Sequence, residues 1–266
     1  MKYSFHIIVV ILCLSCEETT FDDLLADFSA GNTPTTTLDP LDSPYDSSSV
    51  NISWAGNEDA NSFSYRLEPI SYTDTVKTYS NWSVWAAVYT VTFINLDDGS
   101  YNFYIKSRST IENEETPDSV NFIVDAIEGP AIRMYPLYQQ VSVDEAFSMY
   151  IYIEDMVDLG GLELHMSHPP SKMTANSITA ETILANASIF FDTINPTEGT
   201  IELISTGADF TGFTGSGMVA KINLTAGNST GQNTMYIHDD TSILRNSENV
   251  QINLLETVHG IIEVVE

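Results

Sequence analysis

Apolar and polar positions alternate with a period of two along most of this chain, the pattern of strands that bury one face. In the first half the alternating sets are Val50, Ile52 and Trp54; Phe63, Tyr65 and Leu67; Tyr89, Val91 and Phe93; Tyr101, Phe103 and Ile105; and Val120, Phe122 and Val124. In the second half they are Leu162, Leu164 and Met166; Ile201 and Leu203 around Glu202; and Met218, Ala220, Ile222 and Leu224, opposed by Lys221 and Asn223. Between the strands, Asp97, Asp98 and Gly99 predict a hairpin turn joining the strand through Phe93 to the one through Tyr101. Gly212, Gly215 and Gly217 predict a loop over 210–217, since glycine reaches positive φ without steric cost. Gly129 and Pro130 break the series in the middle. The expectation is an all-β chain of two β-sandwich domains, 34–128 and 129–266, each with its own core and so able to fold by itself.

The N-terminal stretch departs from this pattern. Lys2 precedes an apolar run of about ten residues, Phe5 to Leu14, which suits a secretory signal and is short of the roughly 20 residues a membrane span needs. The run ends in Cys13, Leu14, Ser15 and Cys16, which resembles a bacterial lipobox. That resemblance implies a lipoprotein signal peptide at 1–15 and lipid attachment at Cys16, with membrane contact through the lipid only. Both cysteines of the chain lie here, so no internal disulfide is expected. Residues 16–33 form a tether. Within it, Phe21, Leu24, Leu25 and Phe28 share helical spacing behind Thr20 and Asp23, and a short helix over Glu17 to Phe28 is expected.

Charge narrows the partners. Nine Lys and Arg against 37 Asp and Glu give a formal net charge of −28. No basic stripe exists to neutralise phosphates, so nucleic acid is excluded, and solubility outside the cell is the plain meaning. Catalytic signatures are missing: Gly215, Ser216 and Gly217 lack the spacing of a nucleophile elbow, and no lysine follows to make a phosphate loop. His165 and His168 stand three apart on a strand end, where side chains diverge, so they predict no zinc site. Glu154, Asp155 and Asp158, like Asp239 and Asp240, lack the alternating ligands and central glycine of a calcium loop. No catalytic residue, metal or cofactor is expected.

The stretch Gly199 to Leu224 resembles the later strands of cohesin domains through Phe213, Gly215, Gly217, Ala220, Ile222 and Leu224. Upstream, Val141 to Met166 looks like the first two strands of that family, with Gly160 and Gly161 before the alternation. Downstream, Ser242 to Val265 is similar to its closing hairpin. Where the family carries an aromatic residue and an aspartate after the second strand, this chain has His165, Met166, Ser167, His168, Pro169 and Pro170, which puts the usual partner contacts in doubt.

The first half resembles an immunoglobulin-like or fibronectin type III-like module through Val50, Ile52, Trp54, Gly56, Tyr65, Arg66, Leu67, Asp98, Gly99, Tyr101, Phe103, Ile105, Lys106 and Ser107. Trp82 and Trp85 are expected in its core and strand pairing.

The resemblances imply an immunoglobulin-like spacer followed by a cohesin-like jelly-roll sandwich, exported and lipid-anchored at the bacterial cell surface. Such a protein is a non-catalytic binder that captures a dockerin-type module of another secreted protein, with any calcium on the dockerin side. The alternative is a carbohydrate-binding module that attaches the cell surface to polysaccharide, using rings among Phe190, Phe191, Phe210 and Phe213. A planar exposed strip of those rings would favour sugar, and a broad flat sheet face would favour protein. A purely structural surface protein is the third reading. The sequence assigns no contact residues.

Overall fold

The computed structural model describes residues 33–70, 81–184, 187, 189–206 and 211–266. The leader, Cys16, the helix expected over Glu17 to Phe28, and Phe210 lie outside the described residues. All eighteen regular elements among the described residues are strands. The fold is all-β, as the alternation predicts.

β1 (Thr36–Leu38), β2 (Val50–Gly56), β3 (Ser62–Pro69), β4 (Thr90–Phe93), β5 (Gly99–Arg108) and β6 (Asp118–Val124) make two three-stranded sheets, ordered β1-β2-β4 and β3-β5-β6. Their inward positions are those the period of two selects: Val50, Ile52, Phe103, Ile105 and Phe122 are fully buried, with Trp54 packed against Phe63, Tyr65 and Phe103. The hairpin expected at Asp98-Gly99 is not formed. β4 pairs with β2, and β5 pairs with β3 and β6, so the chain crosses from one sheet to the other at this point. The Asp-Gly signal is overridden because both carboxylates are taken up in long-range contacts, given below.

The second half contains β7 (Ala131–Tyr135), β8 (Tyr138–Ser142), β9 (Ala146–Ser167), β10 (Met173–Ala180), β11 (Ile189–Asn195), β12 (Thr200–Thr206), β13 (Phe213–Ala226) and β14 (Gly231–Ile237). It closes with β15 (Ile243–Asn246), β16 (Gln251–Ile252), β17 (Glu256–Val258) and β18 (Gly260–Val265). Its organiser is β9, a single strand of 22 residues where two strands are expected from the sequence. Its first part pairs with β7 and β13, and its second part with β12 and β15. A second core cluster, including Met149, Ile151, Ile153, Leu164, Leu203, Ile222 and Ile262, fills the space between them.

The loop expected over 210–217 is a strand from Phe213 onward. Phe213, Gly215 and Gly217 pair with Leu159, Met156 and Ile153 of β9 through repeated register shifts. The glycines are spent on bulges, one of which puts φ at +128° on Gly215. A further shift between Met218 and Ala220 turns Val219 inward beside Ala220, so Met218 does not share their buried face as the strict alternation predicts.

Where the two halves meet, polar contacts are dense. Arg133 of β7, its side chain wholly buried, donates to Asp97 Oδ1 at 3.0 Å and, through Nε, to Glu154 Oε2 at 3.4 Å. The Leu137 N–H donates to the same Asp97 oxygen at 2.9 Å. The guanidinium lies 4.3 Å from the Tyr152 ring centre and 5.5 Å from that of Tyr135. Asp98 accepts the Ala126 and Ile127 N–H groups at 2.8 and 3.1 Å. Burial pushes the Asp97 carboxyl up to about 7 against the opposing pull of Arg133 and the Leu137 amide. Burial raises Glu154 and Asp98 as well.

Candidate interaction face

The second part of β9 lies between β12 and β15, and β11 extends the sheet beyond β12. Leu162, Leu164 and Met166 of β9, and Ile201 and Leu203 of β12, point into the core. The intervening residues therefore share the outer face. Register sets them in rows: Phe191, Ile204, Glu163 and Ile243; then Thr193, Glu202 and His165; then Asn195, Thr200, Ser167 and, from β14, Tyr236. Phe191, Ile204 and Tyr236 are 57%, 37% and 44% exposed, so the face offers separated apolar positions on a polar sheet.

His165 holds the centre. Its Nε2 lies 3.1 Å from Glu163 Oε1 and its Nδ1 3.7 Å from Glu202 Oε1. Toward one end, Ser167 Oγ is 2.8 Å from His238 Nε2, and the Tyr236 ring meets His259 edge-on at 5.0 Å. Burial lowers the His259 pKa, with Asp239 pulling the other way. At the opposite end, Gly161 pairs with Thr206 on one side and Arg245 on the other. Lacking a side chain, it leaves a hollow of about 340 Å3 bounded by Glu163, Ile204, Thr206, Ile243 and Arg245. Its neighbour Gly160 is required by close approach: a Cβ there would sit 2.7 Å from the Asn246 carbonyl oxygen and 2.8 Å from Ser247 Cα.

The residues singled out from sequence fall in several places. His165 is on this face, whereas His168, three residues on, is buried at the strand's end; burial lowers its pKa, with a backbone hydrogen bond at Pro169 opposing. Glu154 is bound to Arg133; Asp155 donates its N–H to Ser216 Oγ and its carboxylate accepts from the same hydroxyl; and Asp158 donates its N–H to Thr214 Oγ1 and accepts from Ser247 at its carboxylate. Phe190 and Phe213 pack on the core and Phe191 stands on the outer face, so these three rings form no planar strip.

Trp82 and Trp85 are not in the core as expected, where the buried indole is Trp54, but their segment does pair with β3: Ser83 N–H donates to the Tyr65 carbonyl and Phe63 N–H to the Ala86 carbonyl, both at 2.8 Å. The two tryptophans lie half-buried over the outer side of β3 and β5, stacked with cations: Arg66 over Tyr104 and Trp82, Lys106 over both indoles, and Arg108 over Trp85, at 4.5 to 5.0 Å. Glu68, Glu114 and Glu112 pair with the same cations. This ladder fastens the segment through Trp82 and Trp85 to the sheet.

Sequence reasoning places Glu202 outward through its alternation with Ile201 and Leu203. It misses Ile204, Thr206, Ile243 and Arg245, whose common face depends on pairing between strands distant in the chain.

Residues 139–264 match the family model of the cohesin domain. Similar solved structures include a non-cellulosomal cohesin from the hyperthermophilic archaeon Archaeoglobus fulgidus, at 12% identity and a TM-score of 0.44, covering 51% of this chain and 91% of that one. Another is the third cohesin ScaC in complex with the ScaB dockerin from Acetivibrio cellulolyticus, at 18% identity and a TM-score of 0.45, covering 51% and 99%. A type II cohesin domain from the cellulosome of Acetivibrio cellulolyticus has 15% identity and a TM-score of 0.44, covering 50% and 94%. Comparison with curated proteins gives no match.

Proposed function

We propose that the cohesin domain at residues 139–264 is a non-catalytic capture module and that the outer face of β11, β12, β9 and β15 receives its partner, a dockerin-type module of a secreted protein. The match to the cohesin family model carries this reading, because that family consists of protein-binding domains. The broad sheet face supports protein over sugar, since Phe190 and Phe213 pack on the core and, with Phe191 on the outer face, form no exposed strip for stacking on a sugar chain. The face carries Glu163 and Glu202 on a chain of net charge −28, so the partner presents a positively charged surface and its association slows as salt rises. In this reading the protein is exported and lipid-anchored at Cys16, with the N-terminal sandwich as an immunoglobulin-like spacer.

The test is titration of the full chain with a panel of dockerin-type modules from the source organism, beside the variants Ile204→Asp and Glu202→Lys. Each variant is expected to weaken binding at least about tenfold, equal to roughly 1.4 kcal/mol, as loss of a central contact does. A panel in which no module binds overturns the dockerin assignment. Binding unaffected by both variants overturns the assignment of this face.

A further inference from the structure

Two sandwiches joined by a short connection ordinarily move against each other, because interfaces within a chain are small and polar. Here the connection between β6 and β7 is tied along its length. The Asp125 N–H donates to the Tyr45 carbonyl at 2.8 Å, on the N-terminal side. The Ala126 and Ile127 N–H groups are held by Asp98, and the Pro130 carbonyl accepts from Leu255 N–H at 2.8 Å, on the C-terminal side. Ile127, Ala131 and Leu137 are buried together with Val258 against them, in a cluster separate from either main core.

Over this tied connection sits the buried cation already described. Arg133 lies on the outer side of β7, opposite Ile132 and Met134, which point into the C-terminal core. An arginine on an outer sheet face normally reaches solvent with its charged head. This one is sealed between two tyrosine rings and spends its donors on Asp97 of one sandwich and Glu154 of the other. Asp97 in turn binds Leu137 across the same boundary, and its own carbonyl accepts from Tyr101 O–H at 2.8 Å, which fixes the loop that presents it. A buried ion pair adds little net stability, and in some proteins its role is to specify one arrangement over others.

We propose that Arg133, Asp97 and Asp98 form a latch that holds the two sandwiches in one fixed orientation, so that the face on β9, β12 and β15 is presented in a single direction. The latch goes beyond the capture reading and stands whatever the face binds. It lies on the first part of β9, at Glu154, and the face lies on the second, at Glu163 and His165, so one continuous strand relates the two.

The experiment is electron spin resonance distance measurement on the full chain, with Cys13 and Cys16 replaced by serine and nitroxide labels at Ile111→Cys and Val250→Cys. Both positions are more than half exposed, at 56% and 57%. One narrow distance distribution is expected, and Asp97→Ala is expected to at least double its width while the far-ultraviolet spectrum stays that of a β protein. A broad distribution with Asp97 intact overturns the latch, as does a narrow one in Asp97→Ala. Should Asp97→Ala fail to fold, Asp98→Ala, which releases the Ala126 and Ile127 amides, is judged by the same criterion.

Discussion

His168 and Asp97 are buried ionisable groups whose effects on stability run in opposite directions with pH. His168 is 3% exposed, and burial lowers its pKa from 6.5. The folded chain therefore refuses a proton that the unfolded chain accepts. Its contribution is present above the unfolded value and is lost as pH falls below that value to the lowered folded one. Asp97 is raised from 3.8 to about 7, so the folded chain takes up its proton first. That contribution is fully present at acid pH and is lost as pH rises through the window between those two values. Calorimetry of the single variant His168→Gln separates the two, because Asp97 is unchanged in it. On going from about pH 7.5 to about pH 5, the melting temperature of the variant is expected to rise relative to that of the parent, by the linkage just given. A difference between the two that does not change with pH would show that His168 is not the group that titrates.

Among the elements, β13 shows how far sequence pattern reaches and where it stops. Ala220, Ile222 and Leu224 are inward as the alternation predicts, because each residue's side follows from the pleat alone. The beginning of the strand is not legible: three glycines in a short span read as a loop, and only pairing with β9 converts two of them, Gly215 and Gly217, into bulge positions. The two glycines that resemble the family turn should therefore differ. Gly215 has φ of +128°, where a β-branched residue is strained, whereas a Cβ on Gly217 would meet only the end of the Ile183 side chain, at 3.0 Å. Gly215→Val is expected to destabilise more than Gly217→Val, read as the midpoint of urea unfolding, and the reverse order would mean the bulge is misplaced. The same limit explains the Asp98-Gly99 crossing and the interaction face. Dipeptide and period are local signals, but which strand lies beside which is decided by contacts such as Asp97 with Arg133, or Arg245 with Gly161, separated by tens of residues. Trp82 and Trp85 were misplaced for a related reason, since their cations lie on β3 and β5 and stacking on those side chains satisfies the indoles outside the core.

For the whole molecule, the acidic balance and the leader expected at the N-terminus bear on where it works. Three of its nine cations lie in the aromatic ladder, each paired with a glutamate, and Arg133 is buried, so little positive charge remains to attract phosphate or an anionic membrane surface. In the proposed reading, membrane attachment then comes from the lipid on Cys16. Mass spectrometry of the mature protein is expected to show an N-terminal lipidated cysteine at that position, and Cys16→Ala is expected to move the protein from the membrane fraction to the soluble one. An unmodified peptide that begins at or after Cys16 would remove the anchor from the model. In the same proposed reading, attachment at one end and capture at the other would place the chain under tension, and here the length of β9 matters. Ladder hydrogen bonds run across strands, so a pull along a strand's axis shears many of them together and does not unzip them singly. A tug between a captured partner and the N-terminal sandwich enters β9 at Glu163 and His165 and leaves it at Glu154, within one uninterrupted backbone flanked by β13 and β12. On the proposed capture and latch, the strand that relates the two would act as a tendon, with load expected to release the contacts at its two ends before the paired backbone between them.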